Sequence, residues 1–382
     1  MSEKISFLWD APHCAHSFRT AVSLHGHTQH SRESLDFIPA FASRHAVLKW
    51  ALGRQERRCT RIKADLTRAY WTPPLTPRGA YDLEREQVEQ GLNLTGLVSL
   101  TDHDNIEASS LLQLLPEGAS IPISLEWTVP LAKAEIHLGV HNLPANTAAD
   151  LVARMNHYTS HPEERALGEL LGLLHESPEV LLVLNHPLWD LGLVGAVRHR
   201  RSVEDFLRRY NGFLHAFEVN GLRGWNENQA VMEMAHVWNR PLVSGGDRHG
   251  REPNAVVNLT QAATFSEFVE EIRLDGRSHL LFMPQYRQSV VLRMFHTFLD
   301  VIDDNPISPL GRNWDDRVFH PDADGIMQPV SSLWPQPPNF IKTIFSLARR
   351  IEAGTTRWSP RFNLDQVRSA SRLPLRPGGE AA

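Results

Sequence analysis

The chain has 382 residues, 42% of them hydrophobic and 22% charged, with a formal charge of −5. The length suits one large α/β domain with additions, the composition is that of an ordinary soluble globular protein, and the mild acidity implies no partner by itself. Two cysteines, Cys14 and Cys59, exclude a disulfide framework and sit in no metal-binding spacing.

The opening MSEKISFLWDAPHC has no apolar core or cleavage site of a secretory signal. No apolar run nears the ~20 residues that a membrane span needs. A cytoplasmic protein without a membrane partner is expected. Only Lys4, Lys49, Lys63, Lys133 and Lys342 are lysines. Arginine forks grip phosphates bidentately, although a coding bias yields the same preference.

A first strand is expected in AVSLHGH, at 21–28. From about 35 to 77 a basic segment interrupts the pattern. Its cations Arg44, Lys49, Arg54, Arg57, Arg58, Arg61, Lys63 and Arg68 face only Asp36, Glu56 and Asp65. Trp50, Tyr70 and Trp71 lie among them, the scarcity of Gly and Pro predicts one or two helices, and WTPPLTPRG closes it. The segment reads as a nucleic-acid platform or as a solvated helical face; Trp50 fits the second reading better.

A helix over 82–91, ended by glycine, leads into a strand at 96–100. Strands and helices then alternate through IPISLEW, EIHLGVH and EVLLVLNHP. Residues 202–210 form an amphipathic helix on Val203, Phe206 and Leu207. A strand at 216–220, a helix at 226–239, the strand PLVSGG and a short helix at 266–274 complete the pattern. From about 286 the character changes: 290–302 is a strongly apolar helix, 305–338 is rich in Pro, Asp and Trp, and 340–351 is again helical. The tail RLPLRPGGEAA is expected to be disordered. Residues 1–285 thus form one domain, and 286–382 a helical extension with no legible chemistry.

Histidines and acids stand at the ends of these strands: His25 and His27, Thr101-Asp102-His103-Asp104, Glu126, His137, His186-Pro187, and Asp247-Arg248-His249. The C-terminal ends of parallel strands converge on one mouth of an α/β barrel. Imidazole and carboxylate suit Zn, Mn or Fe, and so many of them argue for more than one ion. Isolated histidines such as His157, His175 and His236 read as structural. His141 is the nearest rival to His137, because residues four apart in a strand share a face. Asp102 and Asp104 read as hydrogen-bond partners of ligands, and Glu218, in FEVNG, as a helper near the mouth.

These five motifs, in this order, resemble the PHP (polymerase and histidinol phosphatase) family over roughly 21–281. The resemblance implies an α/β fold, a distorted (β/α)7 barrel, with the basic helical insertion after its first strand and the C-terminal helical extension. It implies two or three divalent transition-metal ions (Mn, Zn or Fe). His25, His27, Glu126 and Asp247 would bind the first, and Glu126, His137 and His186 the second. His103 and His249 would bind a third with an acid from the loop after the first motif. The family's aspartate position holds Arg32 here, so that role is either left vacant, with Arg32 facing the substrate phosphate, or passes to Glu33 or His30; Glu33 is preferred.

The implied activity is a metal-dependent phosphoesterase in which a metal-bound hydroxide attacks phosphorus. Asp247, His249, Glu126 and Arg248 would carry catalysis, with Arg32, Arg223 and Arg248 on the substrate phosphate. The motifs look most like the stand-alone branch that shortens nucleic acid and cleaves 3′,5′-bisphosphonucleotides. The partner would then be a phosphorylated small molecule or single-stranded nucleic acid. A histidinol-phosphate-type phosphatase, an amidohydrolase and a degenerate non-catalytic scaffold stay open, as does the oligomeric state.

Overall fold

Aliphatic and β-branched runs make the strands, and several are buried along their whole length, as expected where helices cover a sheet. The computed structural model describes residues 2–36, 66–116, 118–132, 134–333 and 345–351. Most of the basic insertion, with Trp50, Arg57, Arg58 and Arg61, lies outside the described residues, as does the C-terminal tail.

The chain opens with β1 (Ser2–Phe7), β2 (Thr20–Leu24) and the short β3 (Glu33–Ser34) and β4 (Tyr70–Trp71). Helix α1 (Pro77–Glu86) starts on Thr76, whose side chain accepts from Gly79 N, with proline in its first turn. It continues through a wider turn, Gln87–Leu92, and stops at Asn93 in the left-handed conformation. The helix therefore begins before 82, and Asn93 rather than Gly91 ends it.

Next come β5 (Thr95–Ser99), α2 (Glu107–Gln113), β6 (Ile123–Pro130), β7 (Glu135–Leu143), α3 (Ala148–Ser160), α4 (Glu164–Glu176) and β8 (Leu181–Asn185). Then follow α5 (Ala196–Tyr210), β9 (Ala216–Asn220), α6 (Trp225–Trp238), β10 (Leu242–Gly245), β11 (Val256–Thr260), α7 (Phe265–Arg273) and β12 (Arg277–Phe282). The apolar helix α8 (Val290–Ile302) has the expected bounds. After it the chain forms β13 (Val318–Pro321), β14 (Met327–Pro329) and the short α9 (Val330–Leu333). None of the small strands was legible in the sequence.

The architecture is mixed α/β. One five-stranded sheet has the order β1-β12-β11-β2-β5, a second β10-β9-β8-β7-β6, and a four-stranded sheet β14-β13-β4-β3. The two large sheets meet through two isolated parallel bridges, Gly26 to Arg248 and His103 to Glu126. Their ladders do not close into one continuous barrel. The strands are also not uniformly parallel, because β7 runs antiparallel to both β6 and β8. A tight hairpin, with Leu131 N donating to Ala134 O at 2.8 Å, turns the chain straight back. Glu126 therefore lies within β6 and His137 near the start of β7, not at strand ends.

The largest core cluster lies between β6–β9 and α3–α5. Fully buried Trp127 anchors it and donates its Nε1 hydrogen to Thr159 Oγ1 at 3.1 Å. Among the described residues no helix is long and apolar enough to cross a membrane.

Gly139 on β7 faces the interior, where an added Cβ would lie 2.8 Å from both Asn185 Oδ1 and His141 Nε2. Gly139→Ala is expected to destabilise the fold by about 1–3 kcal/mol through overpacking. Thermal unfolding measures this; an unchanged midpoint would show that the neighbours yield freely.

Candidate metal centre

The residues that follow β2, β5, β8 and β10 leave the sheet abruptly. His25, Asp104, His186 and Asp247 adopt positive φ (62°, 51°, 26° and 51°), a region that side chains other than glycine rarely occupy. The kink at His25 exchanges backbone bonds between the two sheets: Gly246 N donates to Leu24 O at 3.0 Å and His27 N to Arg248 O at 2.8 Å.

The result is one buried cluster. Glu126 Oε2 lies 3.0 Å from His25 Nε2, 3.4 Å from His27 Nε2 and 3.5 Å from His103 Nδ1. Glu126 Oε1 lies 3.0 Å from His186 Nε2 and 3.1 Å from His137 Nδ1. Asp247 Oδ1 is 3.8 Å from His25 Nε2 and 3.6 Å from His27 Nε2. Glu33 Oε2 is 3.3 Å from His103 Nε2 and 3.1 Å from His249 Nε2. Glu33 is thus brought to His103 and His249, whereas Arg32 is exposed with its guanidinium over the Tyr70 ring, 5.4 Å from the centroid. His30 turns to Glu107 at 3.2 Å.

The atoms facing one another are poorly satisfied. His25 Nε2, His27 Nε2, His103 Nδ1, His137 Nδ1 and Glu126 Oε2 are buried without a hydrogen-bond partner. Each such group costs roughly 1–3 kcal/mol when left unpaired. Four sets of these side chains could hold an ion, their ligand atoms lying within 4.8 Å of one another: His25, His27 and Glu126; His25, His186 and Asp247; His103, Glu126 and His137; and His27, Glu33, His103 and His249.

Electrostatics follow the crowding. Burial favours uncharged rings, but Glu126 and Glu218 overcome it and hold His25 well above the usual imidazole range. His137 is likewise pushed up to about 10 by Glu126 and Glu135 against burial. His27, buried and facing His249, is pushed down to about 3. Against burial, three imidazoles keep Glu126 well below the carboxylate range, His25 most strongly.

A second layer holds the first in place. Glu218 Oε2 sits 2.6 Å from His25 Nδ1, which leaves His25 Nε2 for the cluster. Asn185 donates to Glu126 Oε1 at 3.0 Å, and Ser31 to Glu33 Oε1 at 2.6 Å. Asp102 accepts from Thr28 N and Oγ1, and Asp104 from Thr128 N. His141 stays outside the cluster, 2.8 Å from Ser99 Oγ, and burial pushes it down to about 3. Sequence reasoning missed Asn185 and Ser31, although Asn185 directly precedes the His-Pro motif.

The arginines divide. Arg223, buried, donates to Asp247 Oδ2 at 3.0 Å and lies 3.5 Å over the Trp189 ring. Arg248, expected on substrate phosphate, is instead tied into the frame: Nε to Glu84 Oε1 at 2.8 Å, Nη1 to Gly250 O at 3.0 Å and Nη2 to His27 O at 3.1 Å. It packs over Gly26, where a Cβ would meet Nη2 at 3.1 Å.

No family model matches the chain, and no curated protein matches it significantly. Solved structures resemble it loosely. PsfC from Pseudomonas syringae is 15% identical over 57% of this chain and 89% of its own, with a TM-score of 0.39. A protein from Bifidobacterium adolescentis described as a candidate metal-dependent phosphoesterase gives 17%, 54%, 94% and 0.29. An amidohydrolase from Chromobacterium violaceum, with bound sulfate and no metal, gives 14%, 52%, 92% and 0.34. At such TM-scores these likenesses carry no argument, and the site is read from its own geometry.

Gly245 leaves space for Glu218, since a Cβ there would lie 2.2 Å from Glu218 Cδ. Glu218→Ala and Gly245→Ala, which remove or displace the group that orients His25, should each weaken metal binding roughly 10–100-fold. Competition with a chromogenic chelator reads this directly, and wild-type affinity in Glu218→Ala would refute the orienting role.

Proposed function

We propose that the protein is a metal-dependent phosphoesterase of the PHP type, with two or three divalent transition-metal ions (Mn, Zn or Fe) in the cluster. The observation that carries the reading is the set of unsatisfied, inward-facing imidazole and carboxylate atoms around Glu126. A cation would satisfy them together, and their donor types are those of Zn, Mn and Fe sites. His25, His27, Glu126 and Asp247 would hold the first ion, and Glu126, His137 and His186 the second. Glu33, His103 and His249 would hold the third.

The distorted (β/α)7 barrel belongs to the same reading. Counted through the two isolated bridges, β2, β5, β6, β7, β8, β9 and β10 would be the seven strands of that barrel, and this count supports the reading.

Bound ions would supply Lewis acidity and an activated water for attack on phosphorus. The chain's own residues do the rest. Arg223, fixed between Trp189 and Asp247, would hold a phosphoryl oxygen, its Nε being buried without a hydrogen-bond partner, 3.9 Å from Glu227 Oε1. Asp247 orients that guanidinium while facing the cluster. Asn185 and Glu218 hold Glu126 and His25 so that no ligand swings away.

The substrate is proposed to be a phosphate ester of a nucleotide or nucleic acid, with the basic segment outside the described residues as the extra contact for a polyanion. The protein loaded with Mn or Zn should hydrolyse phosphate esters and lose activity on chelation. Glu126→Ala should lose two ions and Arg223→Met should raise KM for the phosphate ester. Full metal content in Glu126→Ala would refute the bridging role. Turnover of carboxamides alone would make the protein an amidohydrolase, and absence of bound metal would leave a scaffold.

Reversing Arg57, Arg58 and Arg61 to Glu should weaken oligonucleotide binding and flatten its salt dependence, with hydrolysis of a mononucleotide nearly unchanged. Equal loss for both substrates would remove the segment from substrate recognition.

A further inference from the structure

Glu33 reaches the cluster from a strand of only two residues. Strand β3 alternates, with Glu33 buried while Arg32 and Ser34 on either side are exposed. A slip of one residue would turn Glu33 outward and bring an arginine or a serine to His103 and His249. So short a strand cannot hold its own register, because isolated strand pairs are marginal at best.

The register is supplied from far along the sequence. Glu33 pairs with Trp71 and Ser34 with Tyr70, and on the other side Tyr70 pairs with Phe319 and Trp71 with Val318. The Tyr70 and Phe319 rings stack at 4.9 Å with planes 16° apart. Thr72 N donates to Arg317 O at 3.0 Å, and Asn305 Nδ2 to Pro74 O at 2.7 Å. Arg317, itself buried, donates to the carbonyls of Val301, Asp303, Gly311 and Arg312, which ties the segment to the end of α8. Trp71, held on the same strand, lies 5.8 Å from the His249 ring.

We infer that the segment 305–329 is a working part of the metal centre: by clamping β4, and through it β3, it sets whether the third ion is held. This rests on the reading of the cluster as a metal site and concerns one ion alone. The ions at His25, His27, Glu126, Asp247, His137 and His186 depend on the large sheets and are independent of the clamp. The segment is thus a positioning element that tunes occupancy of one position without touching the substrate.

The test counts ions per chain by elemental analysis in wild type, Glu33→Ala, Phe319→Ala and the double variant, with Asn305→Ala as a milder lesion should Phe319→Ala fold poorly. Wild type should hold three ions. Glu33→Ala and Phe319→Ala should each hold two, and the double variant also two, because both changes disable the same position. Phe319→Tyr, which keeps the stacked ring, should restore the third. Three ions in both Phe319→Ala and Asn305→Ala would overturn the inference, as would an even loss of all ions from them or only two ions in wild type. No ion in wild type would instead overturn the metal reading itself, and with it this inference.

Discussion

Placing the carboxylate of Glu126 among five imidazoles, with no water-exposed surface to relieve it, imposes a constraint that the surrounding fold must meet. A buried carboxylate is costly unless it is paired, and imidazoles pair with it only when their rings are held at the right edge. Three histidines of the cluster are held through a ring nitrogen that Glu126 does not meet. Glu218 holds His25, the Asp247 carbonyl holds His249 and Ser31 meets His27. The large sheets carry the residues that must not move. The small sheet carries Glu33, the acid that lies on neither large sheet.

The frame is joined at the same place. The isolated bridges at Gly26 and His103 link the backbones of the two large sheets, and both lie at cluster residues or beside them. The buried ion pair of Arg248 with Glu84 locks one of these joints from beneath. Removing either partner would strand a buried charge, a change that costs several kcal/mol. The cluster and the joints of the frame thus share the same residues.

The clustering of these residues was legible because few constraints put imidazoles and acids after apolar runs at so many positions. The third position was legible only as a choice among a vacancy, Glu33 and His30, with Glu33 preferred, and the alternation of β3 places Glu33 inward. The reversed direction of β7 was not legible, since period-two patterning carries no information on strand direction. Nor were β3, β4, β13 and β14, whose two to four residues are too short for any periodicity to register. Arg248 was read as a phosphate ligand from its place beside Asp247. Its partner Glu84 lies on α1, far off in sequence, and only the tertiary fold brings the two together.

The left-handed backbone at His25, Asp104, His186 and Asp247 has an evolutionary consequence. Strain of this kind costs on the order of 1–3 kcal/mol per residue and persists only where something else requires the side chain. Glycine at any of the four would relax the chain, so a search for thermostability blind to function would drift toward glycine there, as it would at Leu193 outside the cluster. The centre is the region where selection for a robust fold and selection for chemistry pull in opposite directions. A lineage that had ceased to use the cluster should reveal it by glycines at these four positions before its hydrophobic core had changed at all.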